Sequence, residues 1–147
     1  MRALAEDLLI NVTEFFRDSP VFDAVQEKVF PAIIRDRERG EAIRVWVPGC
    51  SSGEEVYSIA ICLAEYMLNN GVSVPMHIFG TDISERSIEK ARAGIFGASS
   101  LSMLPPARLK RYFVEVDAGF QIARPVRDRC VFAVQNLAAD PPSPAWT

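Results

Sequence analysis

The chain has 147 residues, of which 49% are hydrophobic and 24% are charged, a composition typical of one globular domain. Its net charge of −3 argues against a nucleic-acid partner, because phosphate backbones are bound by basic surfaces. No apolar run is long enough to span a bilayer, and the acidic N-terminus has no export signal, so a cytoplasmic location without membrane insertion is expected. The three cysteines and one histidine lack metal-ligand spacing, so no metal site is predicted.

The N-terminal part, residues 1–40, is predicted to be helical. Apolar residues recur near helical spacing over residues 3–16, and Phe15 and Phe16 are expected to anchor in the core. Ser19-Pro20 is typical of a helix start, and Pro31 is expected to kink or divide that helix. Its buried stripe is predicted to contain Phe22, Val25, Val29, Phe30, Ile33 and Ile34.

From residue 41 onward, strands and helices are predicted to alternate. Residues 43–47 form a β-branched and aromatic run, which predicts a strand buried on both faces. A glycine loop and a long amphipathic helix follow, and then a strand over 76–79 and a helix over 85–93. This order indicates an α/β fold with a parallel sheet and right-handed crossovers.

The last third is predicted to contain a small insertion and one more strand of the sheet. Residues 95–103 are expected to be irregular, and a short helix begins at Pro105-Pro106. Two short β-patterned runs flank Asp117-Ala-Gly119, which predicts a β-hairpin near residues 112–123. Residues 130–134 are typical of a further buried strand.

The loop at residues 49–53 and the acidic residues after each strand carry the candidate chemistry. The loop has neither the G-x-G-x-x-G pattern of dinucleotide enzymes nor a P-loop lysine. Glu54 and Glu55 would repel a pyrophosphate but suit a cation, and Asp82 ends a strand where a carboxylate binds ribose hydroxyls. A ribose with a cation and no phosphate describes S-adenosylmethionine. Helix-start preference for the glutamates, and a capping role for Asp82, are the alternative interpretations.

Four motifs resemble those of the chemotaxis receptor methyltransferase (CheR) family, in the version found in larger fusion proteins. The motifs are LINVTEFFRD at 9–18, WVPGCSSGEEVYSI at 46–59, GTDIS at 80–84 and Asn136-Leu137. The resemblance runs from about residue 8 to residue 142. It implies a Rossmann-like, three-layer methyltransferase fold with a small hairpin insertion, in which residues 41–147 form the methyltransferase part and 1–40 a helical lead-in.

The same resemblance implies a protein-glutamate O-methyltransferase that transfers a methyl group from S-adenosylmethionine to chemoreceptor glutamates, releasing S-adenosylhomocysteine. Arg17 is the candidate to orient the substrate carboxylate, because a guanidinium matches it with two parallel hydrogen bonds. The candidate cofactor-binding residues are Asn11, Thr13, Arg17, Gly49, Cys50, Glu55, Asp82, Asn136 and Leu137. No general base is expected, since an ionised glutamate is already a nucleophile.

The end of the chain departs from the family pattern. After Asp140-Pro-Pro the family continues into further strands, whereas this chain reads Ser143-Pro-Ala-Trp-Thr147, which is the reading that a one-base deletion would give. A truncated domain is therefore expected, with uncovered sheet edges that favour a homo-oligomer, weak cofactor binding and little methyl transfer. The rival interpretation is an impaired fragment that binds S-adenosyl compounds or a signalling partner. A nicotinamide-binding enzyme is disfavoured by the loop pattern.

Overall fold

The structure is a computed structural model that describes residues 15–16, 19–36 and 40–136. Four of the candidate site residues, Asn11, Thr13, Arg17 and Leu137, lie outside the described residues, as does most of the predicted helix over 3–16. The prediction that Phe15 and Phe16 anchor in the core is confirmed, because their side chains are almost completely buried.

The first described helical segment is divided close to Pro31. It consists of α1 (Ser19–Ala24), a π-helical turn (Val25–Val29) and α2 (Phe30–Asp36). Pro31 has no N–H to donate to the carbonyl of Glu27, which weakens the ordinary helical bonding there. The Phe30 N–H bonds instead to the carbonyl of Val25, one residue further back than in an α-helix.

The predicted apolar stripe of this segment is only partly buried. Phe30 is 3% exposed, but Val29 and Ile33 are 44% and 36% exposed. The prediction for these two residues is wrong because it placed the break in the helix at Pro31, whereas the π-turn lies at Val25–Val29. The wider π-turn interrupts the α-helical period, so buried positions do not recur at the predicted spacing.

The elements that follow are β1 (Ile43–Pro48), α3 (Glu54–Asn69), β2 (Met76–Asp82), α4 (Glu85–Ala93), β3 (Ile95–Phe96), a 3₁₀ turn (Ala98–Leu101), α5 (Pro106–Tyr112), β4 (Phe113–Val116), β5 (Gly119–Ile122), α6 (Arg124–Arg127) and β6 (Cys130–Val134). Strands β1, β2 and β6 form a parallel sheet with β2 in the middle. The predicted α/β fold with a parallel sheet is therefore confirmed. None of the described helices is both long and apolar enough to cross a membrane.

The predicted hairpin is present and belongs to a second, antiparallel sheet in the order β3-β5-β4. Val116 pairs with Gly119, so the turn consists of Asp117 and Ala118. Residues 95–96, which form β3, were predicted to be irregular, and that prediction is wrong. A strand of two residues between glycines is too short to show an alternating pattern in the sequence. Helix α6 is a single turn and gave no periodic signal either.

The two long helices pack on one face of the parallel sheet. A Cβ added at Gly80 in β2 would lie 2.9 Å from the Val56 side chain in α3 and 2.8 Å from the Phe132 ring in β6. Gly53 lies on the same face, since its added Cβ would be 3.0 Å from Ala91 in α4. Glycine at position 80 therefore allows α3 to approach the central strand closely.

The opposite face of the sheet is more open than the sequence predicted. Ile43 and Val47 in β1 are buried, but Trp46, which points the other way, is 39% exposed. The prediction of a strand buried on both faces is wrong for β1, because α3 and α4 cover only one side. Trp46, Phe79 and Val131 are neighbours in register across the three strands and form an apolar row on this face.

Replacing Gly80 with alanine is expected to destabilise the fold by about 1–3 kcal/mol, because the new methyl group overlaps the Phe132 ring and Val56. Gly97→Ala is the matched control. Gly97 has extended backbone geometry and no atom within 4 Å of an added Cβ, so its substitution should leave stability unchanged or slightly raised. Urea unfolding measures both variants. Equal stabilities would contradict the close approach at Gly80.

Candidate functional site

The loop between β1 and α3 forms a tight structure at the carboxyl edge of the parallel sheet. Gly49 and Gly53 have φ angles of +65° and +94°, and Ser51 also has a positive φ of 52°. The Cys50 N–H donates to the Thr81 carbonyl at 2.9 Å. Helix α3 then begins at Glu54 without a side-chain cap. The backbone of the loop is therefore held against the end of β2.

Asp82 joins this loop to the next one. Its Oδ2 accepts a hydrogen bond from the Ser51 N–H and its Oδ1 accepts one from the Ser84 N–H, both at 2.9 Å. Asp82 therefore binds the backbone N–H of Ser84, the residue that caps α4, as the capping interpretation predicted. The side chain is half-buried, and each carboxylate oxygen can accept a further bond. Asp82 can thus fasten the two loops and still bind a hydroxyl group.

The two glutamates on the first turn of α3 occupy different environments. The Glu54 side chain is buried and accepts a hydrogen bond from Ser52 Oγ at 2.5 Å. Burial raises the pKa of the Glu54 carboxyl above its usual value, and the bond from Ser52 lowers it less than burial raises it. Glu55 is exposed, so it is the glutamate of this turn that is available to a ligand.

Cys50 lies inside the loop as a neutral thiol. Burial, and secondarily the negative charge of Asp82, raise the pKa of Cys50 to about 12. Cys62 and Cys130 also have a pKa of about 12, in both cases chiefly because of burial, and all three cysteines are free. A thiol with such a pKa is not a nucleophile at neutral pH, so the Cys50 side chain supplies no covalent chemistry to the site.

The end of β6 approaches the same edge of the sheet. The Gln135 N–H donates to the Asp82 carbonyl at 2.9 Å, and Asn136 is the next residue. Among the described candidates, the structure thus brings Gly49, Cys50, Asp82 and Asn136 to one edge, with Glu55 on the adjoining helix turn.

One apolar residue at this edge was missed by the sequence analysis. Ile83 is 69% exposed and directly follows Asp82. A large apolar side chain exposed beside a polar site can pack against a flat apolar group such as a nucleobase. The sequence indicated Ile83 only through its position directly after Asp82, within the motif at residues 80–84.

The N-terminal motif is attached to α3 through Phe16. The Phe16 N–H donates to Ser58 Oγ at 3.0 Å, and Ser58 lies one helical turn after Glu54. Asn11, Thr13 and Arg17 are close to Phe16 in sequence, but they lie outside the described residues. Ser58 was missed as a contributing residue, although a serine within an apolar helical stripe was a detectable signal.

The described residues fit an S-adenosyl compound. No atom lies within 4 Å of the position that a Cβ would take at Gly49, so a ligand can approach the backbone there. Asp82, which is bonded to the loop, and Glu55, on the helix turn after it, supply negative charge, and the loop contains no lysine or arginine. Such a site favours a sulfonium and a ribose over a phosphate.

Comparison with known proteins gives a family match. A family profile described as "CheR methyltransferase, SAM binding domain" matches residues 11–146. Chemotaxis protein methyltransferase 2 of Vibrio cholerae is 36% identical over 138 residues, which are 93% of this chain and 47% of that protein. An uncharacterized 104.1 kDa protein of Rhodobacter capsulatus is 35% identical over 142 residues, 97% of this chain and 15% of that protein.

A comparison with solved structures gives a weaker similarity than the comparison of sequences. The CMeT domain of the citrinin polyketide synthase resembles this chain with a TM-score of 0.43 and 20% identity, over 84% of this chain and 23% of that one. A similarity with this TM-score and this sequence identity does not indicate a function. The chain spans about half the length of the Vibrio cholerae relative and a smaller part of the Rhodobacter capsulatus protein.

Replacing Glu54 with glutamine is expected to stabilise the fold at neutral pH by about 1 kcal/mol, because it removes the cost of burying a charge. A raised pKa means that the folded state favours the protonated carboxyl. Its stabilising contribution is therefore complete below the unfolded value of 4.5 and is lost as the pH rises through the raised pKa. The advantage of the variant should disappear below that value.

Thermal unfolding between acidic and neutral pH measures this difference. Glu55→Gln is the matched control, because it changes an exposed carboxylate on the same helical turn. It should alter stability by less than about 0.5 kcal/mol. A pH-independent difference between Glu54→Gln and the unaltered chain would contradict the raised pKa.

Proposed function

Because this chain belongs to the CheR methyltransferase family, whose cofactor is S-adenosylmethionine, we propose that it methylates glutamate side chains of chemoreceptors. One observation carries the proposal beyond family membership. The glycine loop is closed onto Asp82 by the hydrogen bond from Ser51, the approach at Gly49 is open, and residues 49–53 include no lysine or arginine that would bind a phosphate. This arrangement supports S-adenosylmethionine over the nucleotide cofactors that strand–loop–helix units also bind.

In this proposal the candidate residues divide between the two ends of the cofactor. Asp82 accepts the ribose hydroxyls, and Asn136 and Leu137 contact the adenine, with Ile83 as an apolar neighbour. The backbone at Gly49 and Cys50 provides the part of the loop against which the cofactor packs. The remaining candidates, which lie on the methionine and substrate side, are Asn11, Thr13, Arg17 and Glu55.

The chain's own residues need only orient and desolvate the reactants. When bound, S-adenosylmethionine supplies a methyl group that its sulfonium has already activated. The substrate carboxylate is ionised at neutral pH and requires no general base. Arg17 holds that carboxylate with its planar guanidinium, which fixes the direction of attack. Opposite charges cancel as the methyl group moves, so exclusion of water by the surrounding residues favours the reaction.

The two parts of the chain have different roles in the proposed reaction, which takes place in the cytoplasm. Residues 1–40 form a lead-in that carries the substrate-side motif, and residues 41–147 form the cofactor-binding part with its hairpin insertion. The partner is a chemoreceptor or a related signalling protein. Three free cysteines suit a reducing compartment, so we place the reaction in the cytoplasm.

We also propose that the chain self-associates through its parallel sheet. Among the described residues, β1 and β6 each pair on one side only, so each presents an open edge. Trp46 and Val131, at the two ends of the apolar row, are 39% and 43% exposed. The Trp46 indole donates to Thr81 Oγ1 at 3.0 Å, which holds its ring in place on this face. A second copy is the occupant that presents the same open edges and the same row.

Replacing Asp82 with asparagine is expected to weaken S-adenosylhomocysteine binding about ten-fold or more, because a charged acceptor for the ribose is lost. Calorimetric titration measures the dissociation constant, and Asp128→Asn is the matched control because its carboxylate is 66% exposed and faces Arg124 on α6. Circular dichroism checks folding, since Asp82 also accepts two backbone bonds. Unchanged binding by a folded Asp82→Asn variant would contradict the assigned role.

The activity itself is tested with methyl-labelled S-adenosylmethionine and a cytoplasmic chemoreceptor fragment. The proposal requires transfer to the fragment as a base-labile methyl ester, which is lost when its glutamates are changed to glutamine. Binding of the cofactor without any transfer would favour a binding module instead.

The unaltered chain is expected to form a dimer or a larger oligomer at high concentration. Trp46→Lys should shift the population toward the monomer, because a charge in the apolar row opposes its burial. Light scattering coupled to gel filtration measures the mass. Val114→Lys is the control, since Val114 is 55% exposed on the separate small sheet. A monomer for the unaltered chain at every concentration would exclude this interface.

A further inference from the structure

Two separate sets of contacts hold the loop at residues 49–53 in place. In the first set, the N–H groups of Cys50 and Ser51 bond to the end of β2. In the second, Ser52 Oγ donates to a carboxyl oxygen of Glu54 at 2.5 Å, and these two residues are only 7% and 1% exposed. The second contact therefore lies in the packed interior of the fold, where water does not compete for it.

The carboxyl group of Glu54 is costly to bury at this position. Burial raises the pKa of Glu54 by more than the positive charge of Lys90 on α4 lowers it. Among the described residues, no close ion pair offsets the removal of this carboxyl from water. An apolar residue of similar size would pack at the start of α3 at a lower cost, so stability alone does not account for a glutamate at position 54.

Helix α3 is firmly held, so its first residue is a fixed reference for the loop. Ser58 Oγ donates to the Glu54 carbonyl at 2.7 Å and accepts from the Phe16 N–H at 3.0 Å. Further along α3, Glu65 accepts hydrogen bonds from Nε and Nη2 of Arg108 in α5, at 2.9 and 2.8 Å. A loop side chain that bonds to the start of this helix is therefore tied to an element that other parts of the fold hold still.

We propose that Ser52 and Glu54 are positioning residues, whose hydrogen bond holds the loop in the shape that accepts an S-adenosyl compound. Without that bond, a loop that contains two glycines with positive φ angles can adopt other backbone shapes. Fewer molecules then have the binding-competent loop, and the apparent dissociation constant rises by the same factor. The inference rests on the proposed function, in which the backbone at Gly49 and Cys50 packs against the cofactor.

The first test compares Ser52→Ala with Ser99→Ala. Ser99 is exposed in the 3₁₀ turn, so it is a matched control for the loss of one serine hydroxyl. Calorimetric titration measures the dissociation constant for S-adenosylhomocysteine, which we expect to rise about ten-fold in Ser52→Ala. It should change less than about two-fold in Ser99→Ala. Circular dichroism checks that both variants are folded.

The double variant Ser52→Ala with Glu54→Leu separates positioning from simple stabilisation. Ser52→Ala alone leaves a buried carboxyl without its donor, which destabilises the fold. Replacing both polar groups should restore the free energy of unfolding, measured in urea, because the buried carboxyl is then gone as well. A dissociation constant that stays high despite restored stability supports the proposal, whereas recovery of both quantities together overturns it.

Amide exchange distinguishes failure of this inference from failure of the proposed function. Without ligand, the Ser51 amide, which donates to Asp82, should exchange faster in Ser52→Ala than in Ser99→Ala. An unaltered chain that does not bind S-adenosylhomocysteine refutes the cofactor site of the proposed function, and faster Ser51 exchange would then assign the pair a purely structural role. If the unaltered chain does bind, a dissociation constant of Ser52→Ala within about two-fold of the Ser99→Ala control overturns the positioning role alone.

Discussion

The hydrogen bonds that Asp82 accepts from Ser51 and Ser84 determine the geometry of the whole carboxyl edge. A parallel sheet brings the ends of its strands to one side, but it leaves the loops that follow them free to take many paths. Here one carboxylate draws the first loop toward the second. A hydrogen bond to a charged acceptor stabilises more than one to a neutral acceptor, so this half-buried side chain holds the loop that approaches the ligand.

Some residues around that edge stabilise the fold, and others are free to contact a ligand. Glu54 is buried and shapes the start of α3, while Glu55 beside it remains exposed. Gly80 lets α3 come close to β2, while the space above Gly49 stays open. In both pairs one residue serves the packing and its counterpart leaves room for a ligand. The site is therefore built from the same elements as the core, so a substitution that alters core packing will also alter the geometry of the site.

Sequence reasoning predicted the parallel α/β sheet and the hairpin because periodicity and turn chemistry are local properties. It placed Asp82 and the glycine loop correctly at one edge, because strand direction alone dictates that outcome. It failed at β3, which is too short for any period, and at Val29, where a π-turn shifted the helical phase. Ser58 and Arg108 were also beyond its reach, because their contacts join elements forty residues or more apart in sequence.

The buried thiols make the molecule its own reporter of local opening. Only a thiolate reacts quickly with a thiol reagent, and burial raises the pKa of Cys50 and Cys62 to about 12. Reaction at mild pH must therefore await a fluctuation that brings water to the sulfur. Cys50 reports opening of the loop, whereas Cys62 reports opening of α3 in the core. The ratio of their modification rates measures how independently the ligand-binding edge moves from the body of the fold.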